Sequence, residues 1–319
     1  MNRAKRNWLI AGIVLIVVGV LLFGAAMAIQ HFDFRKLNTW EGETRTVPIG
    51  EDFADIRIQL DTQALELLPS EDGACRVVFT VDRKASPIAA VSGGALEIRV
   101  KDERQWYEWI GISFGEEKVT LYLPRERYET FTLETDTGSV RVPGSFSFRE
   151  GQITGDTGSV LWEAPCADRL EIALHTGAVR VEASETGDLR LRTTTGSILA
   201  RGMEAKAVHV EADTGDVVLE DLRCASLEGK TDTGELTLRR TVADAAFDLH
   251  TDTGDVRLDD CDAAELTIRT NTGDVTGTLR TAKVFFTKTN TGDVDVPRSA
   301  AGGPCDITTD TGDIRIDLA

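Results

Sequence analysis

Carboxylates are the residues of this sequence best placed to do chemistry. Asp136, Asp156, Asp213, Asp232, Asp252 and Asp310 each lie two residues before a glycine that follows a threonine. Asp216, Glu235, Asp255, Asp274, Asp293 and Asp313 each directly follow such a glycine. Oxygen-rich rows suit a hard cation, so one reading is calcium bridging at Asp213, Asp216, Asp232, Asp252, Asp255, Asp274, Asp293, Asp310 and Asp313. The other is turn architecture, in which the carboxylates accept backbone N–H bonds and need no ion. The pattern is not the glycine-rich nonapeptide of calcium-binding β-rolls. His31, His175, His209 and His250 are scattered, without metal-ligand spacing, and no nucleophile elbow, phosphate loop or zinc motif is present.

A second candidate site is aromatic. The stretch "WYEWIGISF" holds Trp106, Tyr107, Trp109 and Phe114 between two strand-like segments. It reads either as a loop that binds a protein partner, a sugar or the membrane, or as a hydrophobic plug over the end of a core. There are five cysteines, Cys75, Cys166, Cys224, Cys261 and Cys305; the last four lie in the repeats described next, too widely spaced to reach one another, so free buried thiols are expected.

The elements that position these residues follow from periodicity. Thr-Gly recurs with glycines at 138, 158, 177, 196, 215, 234, 254, 273, 292 and 312, an interval of 19 or 20 residues throughout. Two and four residues after the glycine the chain is apolar, as in Val140 and Val142, Val217 and Leu219, or Ile314 and Ile316. Seven and five residues before it the same holds, as in Leu170 and Ile172 or Val208 and Val210. This is the alternation of half-buried strands. Two short strands per repeat cannot bury a core alone, so each repeat must stack on the next.

The expected fold is all-β: a single-stranded β-solenoid of about ten coils over residues 131–319, roughly 48 Å long at the usual strand spacing. The acidic Thr-Gly motif is its corner, where glycine supplies positive φ, the preceding aspartate accepts turn N–H bonds and the threonine hydroxyls stack. Small residues at Gly187, Ala225, Ala245, Ala264 and Gly303 mark a second corner. Arg192, Glu211 and Lys230 alternate in sign and predict cross-coil ion pairs on a flat face. Residues 47–130 alternate without the Thr-Gly register and read as a β-module capping the first coil. The chain stops directly after "DIRIDL", so the last coil is expected to be a bare edge open to self-association.

Ahead of the strands, Trp8–Ile29 is uncharged over a length of about 33 Å as a helix, enough to cross a bilayer. With Arg3, Lys5 and Arg6 before it, the positive-inside rule places residues 1–7 in the cytoplasm, leaves 30–46 as a linker and exports the rest. A cleaved signal peptide ending near "AMA" is the competing reading. The net charge of −18 argues against nucleic acid as a partner.

The single N-terminal span, the "VTLYLP" strand leading into "LETDTGSVRV" and the tandem "TDTGDV" units together resemble the bacterial putative-adhesin β-strand-repeat family of unknown function. That resemblance covers roughly residues 47–319. It implies a single-pass protein of the bacterial cell membrane, its solenoid at the cell surface, in a family found alongside cell-envelope stress systems; it carries no catalytic residues. Expected functions are therefore a non-catalytic adhesin or binding scaffold for a surface or envelope protein or glycan, or an accessory of an envelope stress or signalling system. A polysaccharide-active β-helix enzyme is the third class, and it would require a cleft of converging polar groups.

Overall fold

A computed structural model of the chain describes residues 3–29, 42–102 and 115–319. A helix, Arg3–Ile29, precedes 24 strands that form one continuous all-β assembly. The helix is apolar, and Ile13 to Phe23 are exposed in every direction around it. The expected membrane span over residues 8–29 is therefore present only as an apolar helix: among the described residues, no helical stretch is long and apolar enough to cross a membrane.

The strands build a β-solenoid with two faces joined by the Thr-Gly corners. Ten corners stack, which is about nine turns of rise. On one face the inward ladder runs Ile56, Phe131, Gly151, Leu170, Leu189, Val208, Leu227, Phe247 and Leu266, all in parallel register. On the other it runs Leu65, Val140, Val160, Val179, Ile198, Val217, Leu236, Val256 and Val275. Nearly all of these side chains are fully buried, and they form a single core with their neighbours. Where Gly151 interrupts the first ladder, the buried Trp162 fills the space, its indole N–H donating to the Ala164 carbonyl at 2.7 Å.

The two ends depart from the expected arrangement. At the C-terminal end, Gly303–Thr311 does not stack outside Lys283–Thr291. It lies beneath it, paired on one side with Leu266–Thr272 and on the other with Lys283–Thr291. The opposite face agrees, since Ile314–Leu318 sits between Val275–Leu279 and Val294–Asp295. The last coil of the sequence is therefore an internal rung, and the bare edge belongs to residues 283–295. This corrects the expectation that the chain's final coil is the exposed one. Lys283 fixes the order: its register partner Gly303 has no side chain, and the ammonium group bonds the Ala263 carbonyl at 2.6 Å and pairs with Asp262 at 2.7 Å.

The N-terminal end interleaves too. The first rung, Asp55–Leu60 with Ala64–Pro69, stacks directly on the rung containing Gly138, while the later strands Ala95–Asp102 and Lys118–Leu123 lie outside it. Rungs thus begin before the first Thr-Gly glycine. Antiparallel strands then close this end: Cys75–Asp82 and Gly42–Ile49 on one face, Ala85–Ser92 on the other.

Candidate functional site

Glycine shapes the corner. The ten Thr-Gly glycines have φ between +142° and +153°, a region L side chains rarely adopt. From Gly158 onward a Cβ would lie only 1.5–2.2 Å from the glycine carbonyl of the rung below. This approach lets each glycine N–H bond the threonine carbonyl of the next rung, as Gly196 does to Thr214 at 2.9 Å and Gly312 to Thr291 at 2.9 Å. Where rung order is inverted the bonds follow space rather than sequence, so Gly273 donates to Thr311 at 2.9 Å.

The glycine carbonyls are satisfied by a residue that the sequence reading passed over. Where a threonine stands three before the glycine it points into the core, and several donate the hydroxyl across rungs: Thr193 to Gly177, Thr231 to Gly215, Thr270 to Gly254, Thr309 to Gly273 and Thr289 to Gly312, at 3.0–3.2 Å. The expected stacking of hydroxyls at the threonine next to glycine is not where the bonding lies. The signal was available, because seven of the ten repeats carry threonine at this inward position. Thr135, toward the N-terminal end, is the member whose buried hydroxyl has no partner.

The two acidic rows have different chemistry. Carboxylates directly after the glycine accept the backbone N–H of the same position one rung on: Asp216 from Glu235 at 2.9 Å, Asp255 from Asp274 at 3.0 Å, Asp274 from Asp313 at 2.8 Å and Asp313 from Asp293 at 2.8 Å. It is this row, rather than the one two residues before the glycine, that binds turn amides. Arg257 and Arg315 add ion pairs to Glu235, Asp255 and Asp313.

The row two before the glycine is diluted by neutral and basic neighbours. His175 pairs with Asp156 at 3.3 Å and Lys230 with Asp232 at 3.3 Å, and His250 reaches Asp252 at 3.2 Å. Asn271 donates to Asp252 at 3.2 Å and Asn290 to Asp310 at 3.0 Å. The inverted rung order places Asp310 between Asn271 and Asn290, so an amide side chain stands on either side of it. Asp213 belongs to this row as well. Among the described residues no three carboxylate, imidazole or thiol groups converge on one point.

On the flat face the predicted ion pairs are present: Arg192 to Glu211 at 3.2 Å and Lys230 to Glu211 at 3.7 Å. The opposite edge carries a second set at left-handed residues, in which Arg240 grips Asp221 and Glu220 at 2.6 Å each and holds the Asp221 carboxyl below its ordinary range. Exposed and screened by solvent, each such pair adds little to stability. All five thiols are free and buried. Burial pushes Cys75 and Cys261 up to about 11 and Cys166, Cys224 and Cys305 up to about 12, which makes them poor nucleophiles. Trp106, Tyr107, Trp109 and Phe114 lie outside the described residues.

The family model of the Toastrack DUF4097 group matches residues 53–245 and 210–319. The chain belongs to the Toastrack DUF4097 family. No curated protein matches it. Among solved structures, this Toastrack chain is similar to a putative adhesin from Parabacteroides distasonis ATCC 8503, with 13% identity, 87% of this chain and 98% of that one covered, and a TM-score of 0.48. A putative adhesin from Bacteroides fragilis NCTC 9343 has 12% identity, coverage of 87% and 97%, and a TM-score of 0.40. A putative lipid binding protein from Parabacteroides distasonis ATCC 8503 has 14% identity, coverage of 88% and 98%, and a TM-score of 0.39. At these identities and scores they lend the chain no function. The matching family is not a catalytic one by its description.

Proposed function

We propose that this Toastrack protein is a non-catalytic surface-binding rod of the adhesin type, held in a bacterial cell membrane by residues 8–29, with its N-terminus in the cytoplasm and the solenoid outside. The observation that carries the anchoring is the helix itself. Consecutive residues Ile13 to Leu22, glycine aside, are 45–72% exposed, so no side of this stretch is covered by the other described residues. A helix apolar all round needs lipid or other protein about it.

The rod supports a binding rather than a catalytic reading because its chemistry repeats. The Thr-Gly corners, the threonine hydroxyls and the carboxylate–amide bonds recur from rung to rung, and the ionised side chains face one another in pairs along the strands. A rod of this kind presents long, regular faces. The corner rows offer an alternative occupancy by calcium, which would bridge carboxylates of adjacent rungs.

The test uses the full chain with a C-terminal epitope tag, expressed in a bacterial host. The expected result is a carbonate-resistant membrane protein whose tag is removed by protease added to intact cells. A chain released by carbonate, or a tag protected until the cells are opened, would overturn the proposal.

A further inference from the structure

Exposed apolar surface on the rod is confined to its ends. Outside the N-terminal helix, the large hydrophobic side chains that stand open among the described residues are Ile88, Phe286, Val294 and Leu318. Phe286 and Val294 belong to the terminal rung, where they are 58% and 43% exposed. Among the described residues Lys283–Thr291 has one strand partner, Gly303–Thr311, so its other side presents backbone groups that no described strand pairs over nine residues. Beneath that edge the inward residues Phe285, Thr287 and Thr289 are only half-buried, a core that ends without a cover.

The two ends are protected differently. The outermost strands at the N-terminal end, Gly42–Ile49 and Ala85–Ser92, carry Pro48 and Pro87, which cannot donate to a further strand. Lys283–Thr291 and Val294–Asp295 contain no proline. Head-to-tail stacking of two rods would bring the open edge against the proline-bearing one, whereas two open edges can meet without that obstacle.

We propose that the Lys283–Thr291 edge is a homotypic docking surface on which a second copy of this chain joins tip to tip, the two strands pairing antiparallel about a two-fold axis perpendicular to both faces. The sequence of the edge is self-complementary in this arrangement. Centred on Thr287, the pairing sets Phe286 opposite Lys288 of the second copy on the outer face and Phe285 opposite Thr289 on the inner one. The aromatic face receives an ammonium group, and no two like charges stand directly opposite each other. Val294 and Val296 extend the same apolar end on the other side of the rung.

The footprint sets the strength. Sheets about 10 Å apart and a strand about 30 Å long give roughly 300 Å² per copy. A standard interface buries about 800 Å² per partner, so one pair is weak. Many pairs between two facing membranes gain by avidity. With the anchor placed as proposed above, the tips point away from the membrane, which makes the pairing one between opposed surfaces; this orientation rests on that reading, whereas the pairing itself does not.

Sedimentation equilibrium of the full chain in neutral detergent, up to several hundred micromolar, tests the pairing. A monomer–dimer equilibrium is expected. F286K sets lysine against Lys288 at two symmetric contacts and weakens the dimer about tenfold. F286E sets a carboxylate there instead and preserves or tightens it, and F286K combined with K288E restores it. A chain monomeric at every concentration, or equal weakening by F286K and F286E, overturns the proposal. Flotation with phosphatidylcholine vesicles scores the anchor separately. Vesicles that carry the chain are expected to cluster in light scattering and to lose clustering with F286K.

Discussion

The two ends of the rod solve one problem in opposite ways. Each hides the rung nearest its chain terminus one layer inside, between two other rungs: Asp55–Pro69 at one end and Gly303–Leu318 at the other. Beyond that the N-terminal end adds antiparallel strands that carry prolines, while the C-terminal end stops at a bare strand bearing Phe286. A solenoid must cap or use its last edge. One end is capped; the other is left available.

The sharpest break of this comparison comes from its glycines. Gly215→Ala places a Cβ 1.9 Å from the Gly196 carbonyl at φ +145°, and is expected to cost more than about 4 kcal/mol, seen as a large fall in Tm. Gly73→Ala, in an open turn at the N-terminal end, has nothing within 4 Å and carries only the penalty of its positive φ, about 1 kcal/mol. Equal losses would mean the corner contacts are not rigid.

Lys283→Met should come next. It leaves Asp262 without the ammonium group that clips the terminal rung across Gly303, and an expected loss of about 3 kcal/mol falls on the C-terminal rungs. Hydrogen exchange should accelerate at residues 283–295 and stay unchanged in Gly42–Ile49. Uniform acceleration would refute a local clip.

The thiols give a pH dependence with a definite sign. Their folded values, about 11 to about 12, lie above the ordinary 9.0, so the folded chain keeps its protons where the unfolded chain loses them. Their contribution is complete below pH 9 and is lost as pH rises through the folded values, by about 1 kcal/mol for each thiol near pH 10. Replacing Cys224 with alanine should flatten the alkaline fall in Tm.

Thr270→Val removes a hydroxyl bonded to Gly254 and should cost about 1 kcal/mol, whereas Thr135→Val removes one with no partner and should be neutral or stabilising. Denaturant midpoints of the two variants decide this. The smallest effect concerns the acidic corners. With Asp216, Asp255, Asp274 and Asp313 already bonded to backbone amides, millimolar calcium is expected to leave Tm unchanged after chelator treatment. A large upward shift would favour the cation reading of the rows.

Much of this was legible in the sequence, because repetition writes each contact many times. The glycines fixed the corner, the residues two and four beyond them the ladder, and Arg192, Glu211 and Lys230 the ion pairs of the face. The order of the last rungs was not legible, since the segments around Asn271, Asn290 and Asp310 share one Thr-x-Thr-Gly-Asp pattern and any of them fits on any other. The deciding residues are few: Gly303, which leaves room, and Lys283, which reaches past it. The carboxylate roles were misplaced by one row because spacing alone does not show which side chain faces the next amide.

Disulfide trapping across the disputed rungs tests the central claim most directly. Arg269 is in register with Thr308, and Lys288 lies one strand further out. In the full chain, R269C with T308C places two Cα atoms about 5 Å apart and should oxidise readily to an intramolecular bond, while R269C with K288C, about 10 Å apart, should not. The reverse result, with residue 269 bridging to 288 and not to 308, would show that the rungs follow sequence order and that the open tip belongs to the chain's end.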